Sequence, residues 1–323
     1  MPVMNHSNCE PSIHPRLIDA TVIANTLICR EHFRITFECA DMTGARAGQF
    51  VHLAPARSAS HPSDTIGTNW SPVPLLRRAF SIAGLVAAAP DRCHIDVIYR
   101  VVGTATRWMA SLRVGDSLSV MGPLGNCFPL STGKRHAWMV AGGVGLPPML
   151  WLAEALRGAD RDGIAFVGAR SRDLLALTVD RNVPVSIDGT RASPAAREFA
   201  RHEVPVVIST DDGTFGFAGR IGGALRAYFA AAGVPADDLV VYTCGPEAMM
   251  ADAARFCAER GIECHVCMER AMACGTGTCQ SCVVAVHEPS AVDGWRYELC
   301  CTQGPVFDAG RVIWSGVGGA VQH

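Results

Sequence analysis

The sequence predicts an α+β multidomain chain: an antiparallel β-barrel over 15–130, a parallel α/β domain over 131–262 and a small C-terminal domain over 263–323. Three observations predict it. Short β-branched and aromatic runs separated by turn residues fill the first 130 residues. From His136 onward, apolar strands alternate with helical stretches, as in a parallel sheet covered on both faces. Four cysteines, Cys274, Cys279, Cys282 and Cys301, then follow in a segment with a character of its own.

The barrel strands are read at Ala20–Leu27, Phe33–Phe37, Phe50–Leu53, Ala79–Leu85 and Cys93–Val102. Gly48-Gln49 turns into the third of them, and the Pro- and Ser-containing stretch Arg57–Pro74 reads as a surface loop. Thr106–Leu112 reads as a short helix. In the α/β part, strands are expected at His136–Ala141, Ile164–Gly168, Pro205–Ser209 and Leu239–Cys244. Helices are expected at Met149–Leu156, Gly222–Ala232 and Glu247–Arg260, and strands again within Val306–Trp314.

Hydrophobic residues at 49% and charged residues at 18% give a chain that can bury a large core. A net charge of −2 excludes general attraction to nucleic acid or to an anionic membrane. No apolar run reaches the length of a membrane span, and Met1–Arg16 has no apolar h-region, so a cytoplasmic location is expected. In that reducing setting most of the 14 cysteines are expected to be buried, inert thiols.

The exceptions are the cysteines of Cys274-Gly275-Thr276-Gly277-Thr278-Cys279-Gln280-Ser281-Cys282. The spacing C-x₄-C-x₂-C with a later fourth cysteine is that of plant-type [2Fe–2S] proteins. Gly275 and Gly277 permit the positive φ values that a wrap around a cluster requires. The competing readings are a zinc site, which prefers paired C-x₂-C knuckles, and thiols without metal. Cys300 and Cys301 are both candidates for the fourth ligand, since neighbours in an extended segment point to opposite faces. His265 is a lone histidine, read as structural because a Rieske centre needs two.

Gly142-Gly143-Val144-Gly145 ends a strand and opens a helix, and Cys244-Gly245-Pro246 follows the last strand. Two such turns point at one sheet edge, where a pyrophosphate can meet close backbone and a helix N-terminus. Either could equally be a plain strand-to-helix turn. Arg78-Ala79-Phe80-Ser81 offers a cation for a phosphate and an aromatic for a flat ring, against the plainer reading of a solvated rim and a core Phe. No nucleophile–base constellation is present, and no catalytic side chain is assigned.

In this order, the motifs resemble the electron-transfer subunit of two-component dihydroorotate dehydrogenase, the PyrK family of the ferredoxin reductase superfamily. The match is densest over Met268–Cys279, Cys282 and Cys301-Thr302-Gln303-Gly304-Pro305-Val306-Phe307. The family places its last ligand directly before x-x-Gly-Pro-Val-Phe, which selects Cys301. The resemblance implies an FAD-binding barrel, an NAD(P)-binding α/β domain and a [2Fe–2S] domain. By position it implies flavin contacts at Arg78, Ala79, Phe80 and Ser81, a second FAD contact at Ile98, Tyr99 and Arg100, and a pyrophosphate contact at Ala105 and Thr106. Ala105 stands where the family has glycine. The resemblance also carries the linking segment Gly122-Pro123-Leu124-Gly125-Asn126 and the loop Thr210–Thr214 with Gly216.

The implied function is electron transfer among NAD(H), FAD and the cluster, to or from the FMN of a catalytic dihydroorotate dehydrogenase subunit, in a heterotetramer serving pyrimidine synthesis. Flavin belongs between the other two because a nicotinamide gives a hydride and a cluster takes single electrons. Two alternatives stand beside this. One is an NAD(P)H-dependent reductase subunit for a hydrogenase, sulfite reductase or glutamate-synthase type partner. The other is a zinc-stabilised binding module. The Gly168-Ala169-Arg170-Ser171-Arg172 turn could hold a 2′-phosphate, but the resemblance favours NADH. Neither Arg57–Pro74 nor Val183–Pro194 shows a functional motif.

Overall fold

The computed structural model describes residues 14–40, 42–56, 74, 76–130, 133–159 and 161–314. The loop expected over Arg57–Pro74 lies outside the described residues except for Pro74. The first unit is an antiparallel sheet of seven strands: β1 (Arg16–Cys29), β2 (His32–Ala40), β3 (Phe50–Pro55), β4 (Arg78–Ser81), β5 (Gly84–Ala89), β6 (Arg92–Arg100) and β7 (Ser117–Leu124). Their spatial order is β4-β3-β7-β1-β2-β6-β5. Alternation drives the fold. On β2, Ile35, Phe37 and Cys39 are buried, while Arg34, Thr36 and Glu38 lie toward the other face.

The sheet curls until its two ends meet. Ile82 donates its N–H to the Gln49 carbonyl before β3 (3.2 Å), and Ala83 donates to Asp96 on β6 (2.8 Å). One strand was expected over Ala79–Leu85. Two form instead, β4 and β5, because Ile82 and Ala83 carry the chain across the closing seam. After β6 comes α1 (Thr104–Ser111), which begins two residues ahead of the expected helix. The Thr106 hydroxyl accepts the N–H groups of Val102 (2.9 Å) and Gly103 (3.0 Å) and thereby fixes that start.

The second unit runs β8 (His136–Gly142), α2 (Leu146–Gly158), β9 (Asp162–Ala169), α3 (Arg197–Ala200), β10 (Val206–Thr210), β11 (Phe217–Ala218), α4 (Ile221–Ala232), β12 (Leu239–Cys244), α5 (Glu247–Ala258) and β13 (Glu263–Cys267). Then come the hairpin β14 (Val283–His287) and β15 (Trp295–Leu299), and β16 (Val306–Asp308). The second sheet has the order β11-β10-β9-β8-β12-β13-β16, parallel except for the last pair. The sheet therefore continues past residue 262. β13 pairs in parallel with β12, and β16 returns antiparallel beside β13, so the cysteine segment is built onto the sheet at both its ends. Of the expected Val306–Trp314 strands, only β16 forms, with a single bridge from Val312 to Val286.

The two units share a boundary. Tyr242 on β12 donates its hydroxyl to the Pro129 carbonyl (2.7 Å), and its ring meets Phe128 edge-on at 5.5 Å. No helix among the described residues is long and apolar enough to cross a membrane.

Candidate cofactor sites

Strand order reverses at β8 and β12, which are sheet neighbours although β9 follows β8 in sequence. A crevice at the carboxyl ends of the strands at such a reversal is where open α/β sheets bind nucleotides. Gly142–Gly145 and Cys244–Pro246 both lie there, and they touch. A Cβ on Gly145 would fall 2.1 Å from the Cys244 carbonyl oxygen, and one on Gly245 would fall 2.6 Å from that of Gly142. Gly142 is equally closed, with the Met249 sulfur 2.6 Å from its Cβ position. Gly143 differs: its φ is +54° and open space lies where a side chain would point.

Pro147 and Pro148 stand in the first turn of α2, so that helix start offers its dipole with fewer N–H donors than usual. Cys244 offers this edge its main chain only. Its side chain is fully buried, with a thiol held well above its ordinary value by a bond to Cys267 and by burial. A cavity of about 900 Å³ lies nearby, walled by Arg172 beyond β9, Gly213–Gly216 beyond β10, and Val179–Ile187. The Val183–Pro194 stretch, without a motif in sequence, thus supplies part of a cavity wall.

At the barrel seam, Arg78 of β4 is exposed. Its guanidinium donates to the Leu76 and Arg77 carbonyls (3.1 Å each) and pairs with no carboxylate among the described residues. Ala79, Phe80 and Ser81 are half-buried beside it, and the Phe80 ring meets Tyr99 edge-on at 6.2 Å. Ile98 and Tyr99 are both buried, on opposite faces of β6: Tyr99 turns into the barrel core, while Ile98 lies on the face of its cross-strand partner Arg34. Tyr99 stacks on Phe33 (5.8 Å) and donates to Asn25 (3.2 Å), and burial pushes its phenol above the ordinary value. Arg100 is held by Glu31 at 2.7 Å. Ala105 and Thr106 lie in the first turn of α1, whose leading N–H groups have no partner inside the helix. An unpaired cation, a half-buried aromatic and a helix start along one seam fit a flavin nucleotide.

The cysteine loop turns at Gly275 (φ +75°) and Gly277 (φ +85°). This turn aims two N–H groups, of Cys279 and Thr276, at the Cys274 sulfur, each at 3.4 Å. Those two bonds draw the Cys274 thiol down to about 6, and Ser281 beside the Cys279 sulfur (3.2 Å) lowers Cys279 as well. Cys282 and Cys301 are both buried and meet each other; burial and this contact push the Cys301 thiol up to about 12. A coordinating metal deprotonates such a thiol outright.

The main chain of Cys279 thus closes on the Cys274 sulfur, while Cys282 meets Cys301. Among the described residues, no three His, Cys, Asp or Glu side chains converge on one point. Donors grouped two by two fit a two-iron core, whereas structural zinc wants four around one ion. Cys300 faces the other way. It is fully buried and donates its thiol to the Met268 carbonyl at 3.2 Å. His265 stays outside this set, stacked on Tyr242 (5.6 Å) and bonded to Glu263 (2.8 Å).

One residue here escaped the sequence reading. His52 on β3 is opposite Ala79 of β4 and Met121 of β7, is fully buried, and has no partner among the described residues for either ring nitrogen. Its ring face packs on Gly275: a Cβ there would lie 2.9 Å from Cε1, 3.0 Å from Nε2 and 3.2 Å from Nδ1. Burial, with the charges of Arg77 and Arg78, lowers its pKa to about 4. In sequence it reads only as a histidine inside an apolar strand.

A seam fit for a flavin, a glycine-lined nucleotide edge and a two-by-two thiol set together define an iron–sulfur flavoprotein of ferredoxin-reductase architecture. Residues 269–313 match the model of the iron–sulfur cluster binding domain of dihydroorotate dehydrogenase B. The chain is 31% identical over 303 residues to the dihydroorotate dehydrogenase B (NAD(+)) electron transfer subunit of Bacillus caldolyticus, covering 91% of this chain and 97% of that one. With the protein of the same name from Desulforamulus reducens it shares 28% over 300 residues, covering 93% and 99%. The chain belongs to this family of electron transfer subunits. Among solved structures, that of an NADH-dependent reduced ferredoxin-NADP oxidoreductase has the same fold, with a TM-score of 0.67 at 23% identity over 91% of this chain and 90% of that one.

Proposed function

We propose that the chain is the electron-transfer subunit of an NAD-linked dihydroorotate dehydrogenase, with FAD and a [2Fe–2S] cluster as its own cofactors. Its electrons pass between NAD(H) and the FMN of a separate catalytic subunit in pyrimidine synthesis. The observation that carries this reading is the contact of Gly275 with His52, because His52 is also the cross-strand partner of Ala79. One side chain therefore separates the cysteine loop from the flavin strand. When bound, flavin exchanges a hydride's electron pair for the single electrons that a cluster carries.

The chain's own residues have distinct tasks in this reading. Cys274 and Cys279 hold one iron, and Cys282 and Cys301 the other. Arg78 neutralises a flavin phosphate, while Ala79, Phe80 and Ser81 lie along the ring and the buried Ile98 and Tyr99 support it from β6. Thr106 holds the α1 start at the pyrophosphate. Gly143, in its open position, admits the dinucleotide to the edge that Gly142, Gly145 and Gly245 shape, and the cavity beside β9 and β10 takes its adenosine end. Arg172 lies over the Phe215 ring at 4.7 Å, which engages it before any 2′-phosphate does and favours NADH. The units 15–130, 131–262 and 263–323 serve flavin, nicotinamide nucleotide and cluster in turn, and a reducing cytoplasm suits their thiols.

The test is to purify the chain with and without its catalytic partner. Dihydroorotate-dependent NAD⁺ reduction is expected only in the mixture. Robust dihydroorotate oxidation by the isolated chain would refute this division of labour.

A further inference from the structure

An amide on the inner side of a barrel strand must find hydrogen-bond partners or weaken the fold. Asn25 of β1 is such a residue. It is half-buried and lies directly across from Ile35 of β2, which is fully buried, so the two side chains share the inner face. Its side-chain partners lie outside β1. Its Nδ2 donates to the carbonyls of Met109 (2.8 Å) and Leu112 (3.0 Å), at the end of α1. Its Oδ1 accepts the hydroxyl of Tyr99 on β6 (3.2 Å).

These bonds fix which way the amide points. Two carbonyl oxygens call for its NH₂ end, which leaves its oxygen to the phenol. They also supply what a helix end lacks, donors for carbonyls that no later turn can reach. The other end of α1 is fastened by its own Thr106, whose hydroxyl accepts the Val102 and Gly103 N–H groups. The leading N–H groups of α1 point away from the end that Asn25 holds. Tyr99 in turn meets Phe80 of the flavin strand edge-on at 6.2 Å. Asn25 therefore stands between the strand that flanks the flavin ring and the helix that meets its pyrophosphate.

We infer that Asn25 is a positioning residue for the flavin nucleotide: it sets α1 against the barrel so that the helix start meets the pyrophosphate while the ring lies along β4. The isosteric acid cannot do this. Asn25→Asp keeps the shape but turns an anionic oxygen on the Met109 and Leu112 carbonyls, which repel it. The inference rests on the reading above that the barrel binds FAD with its pyrophosphate at α1. If that reading fails, the native chain holds no FAD. If only this inference fails, FAD is bound and its pyrophosphate is indifferent to residue 25.

The experiment uses the whole chain with its cofactors bound. FAD affinity is read from the flavin fluorescence released on dilution, and the pyrophosphate from the ³¹P resonances of bound FAD. Asn25→Asp should hold FAD about tenfold more weakly and displace both pyrophosphate resonances, while the visible flavin bands keep their positions. Asn25→Ala should do the same to a smaller degree. Tyr99→Phe, which leaves both bonds to α1, should shift the resonances least and weaken FAD by about threefold. Ser111→Ala removes a hydroxyl from the Trp108 carbonyl at the same helix end without touching the barrel, and should leave both readouts at native values. Native pyrophosphate resonances in Asn25→Asp, or in Asn25→Ala and Tyr99→Phe where Asn25→Asp keeps no flavin, would overturn the assignment. Equal shifts in Ser111→Ala would overturn it too, since fraying of the helix end would then suffice.

Discussion

Asn126 and Val306 clasp each other through both polar ends of the Asn126 amide: its Nδ2 donates to the Val306 carbonyl (2.8 Å), and its Oδ1 accepts the Val306 N–H (2.9 Å). The same Nδ2 reaches the Gln303 carbonyl (2.9 Å), and the Asn126 main-chain N–H donates to Gly304 (2.7 Å). The segment leaving the barrel is thereby stitched to the one that follows Cys301. Asn126→Ala removes three side-chain bonds at roughly 1 kcal/mol each, so a loss of about 2–4 kcal/mol is expected. Urea denaturation should show it, with iron released before FAD. Simultaneous release of both, at an unchanged midpoint, would argue against a clasp acting on the cluster segment.

The glycines of the nucleotide edge separate by role. Gly145→Ala drives a methyl into the Cys244 carbonyl, and neither backbone can yield cheaply. NADH binding should be abolished and stability should fall by about 3 kcal/mol or more. Gly143→Ala meets no atom and bears only the left-handed strain of its φ, about 1 kcal/mol. Its fold should survive while its affinity for NADH falls. Calorimetric titration with NADH beside thermal melts tests both variants.

The adjacent thiols Cys300 and Cys301 should behave oppositely. Cys301→Ser breaks the pair with Cys282, so the visible absorption of the cluster should be lost or strongly altered. Cys300→Ser keeps a donor toward the Met268 carbonyl, so full iron content is expected. Iron and sulfide assays decide, and a colourless Cys300→Ser protein would reverse the assignment.

His52 should also give the fold a pH dependence of definite sign. Its folded pKa of about 4 lies below the unfolded value near 6.5, so the unfolded chain binds more protons between those limits. Its contribution is fully present above about pH 6.5 and is lost as pH falls toward 4. Between pH 7 and pH 5 this amounts to at most about 2 kcal/mol. The fall in the urea midpoint over that interval should be smaller in His52→Gln than in the native chain.

How much of this was readable in advance depends on whether a signal is local. The turn Gly142–Gly145 between β8 and α2, and the cysteine loop, announce themselves because tight turns and metal ligation demand particular residues at fixed spacing. β7 went unread because Gly122-Pro123 within it looks like a turn, although its pairing with β1 and β3 overrides that local signal. The hairpin β14–β15 was hidden in a segment read for its cysteines. The attachment of β13 and β16 to the parallel sheet is a pairing between distant residues, with no trace in either segment alone. At the site, Cys301 was identified by likeness and not by geometry. Asn126 was noted as part of a linking motif but not as a clasp. Tyr99, placed at the flavin by likeness, turns its ring into the core, because its strand alternates and β6 presents that face inward. His52 could not be singled out, since the burial of its ring is a property of its surroundings.

An anaerobic titration of the purified chain with NADH, followed by visible absorption and electron paramagnetic resonance, tests the electron relay most directly. The flavin bands should bleach and an iron–sulfur signal should emerge as NADH is added. Flavin reduction with no iron–sulfur signal in iron-replete protein, or a colourless protein containing zinc, would contradict the account.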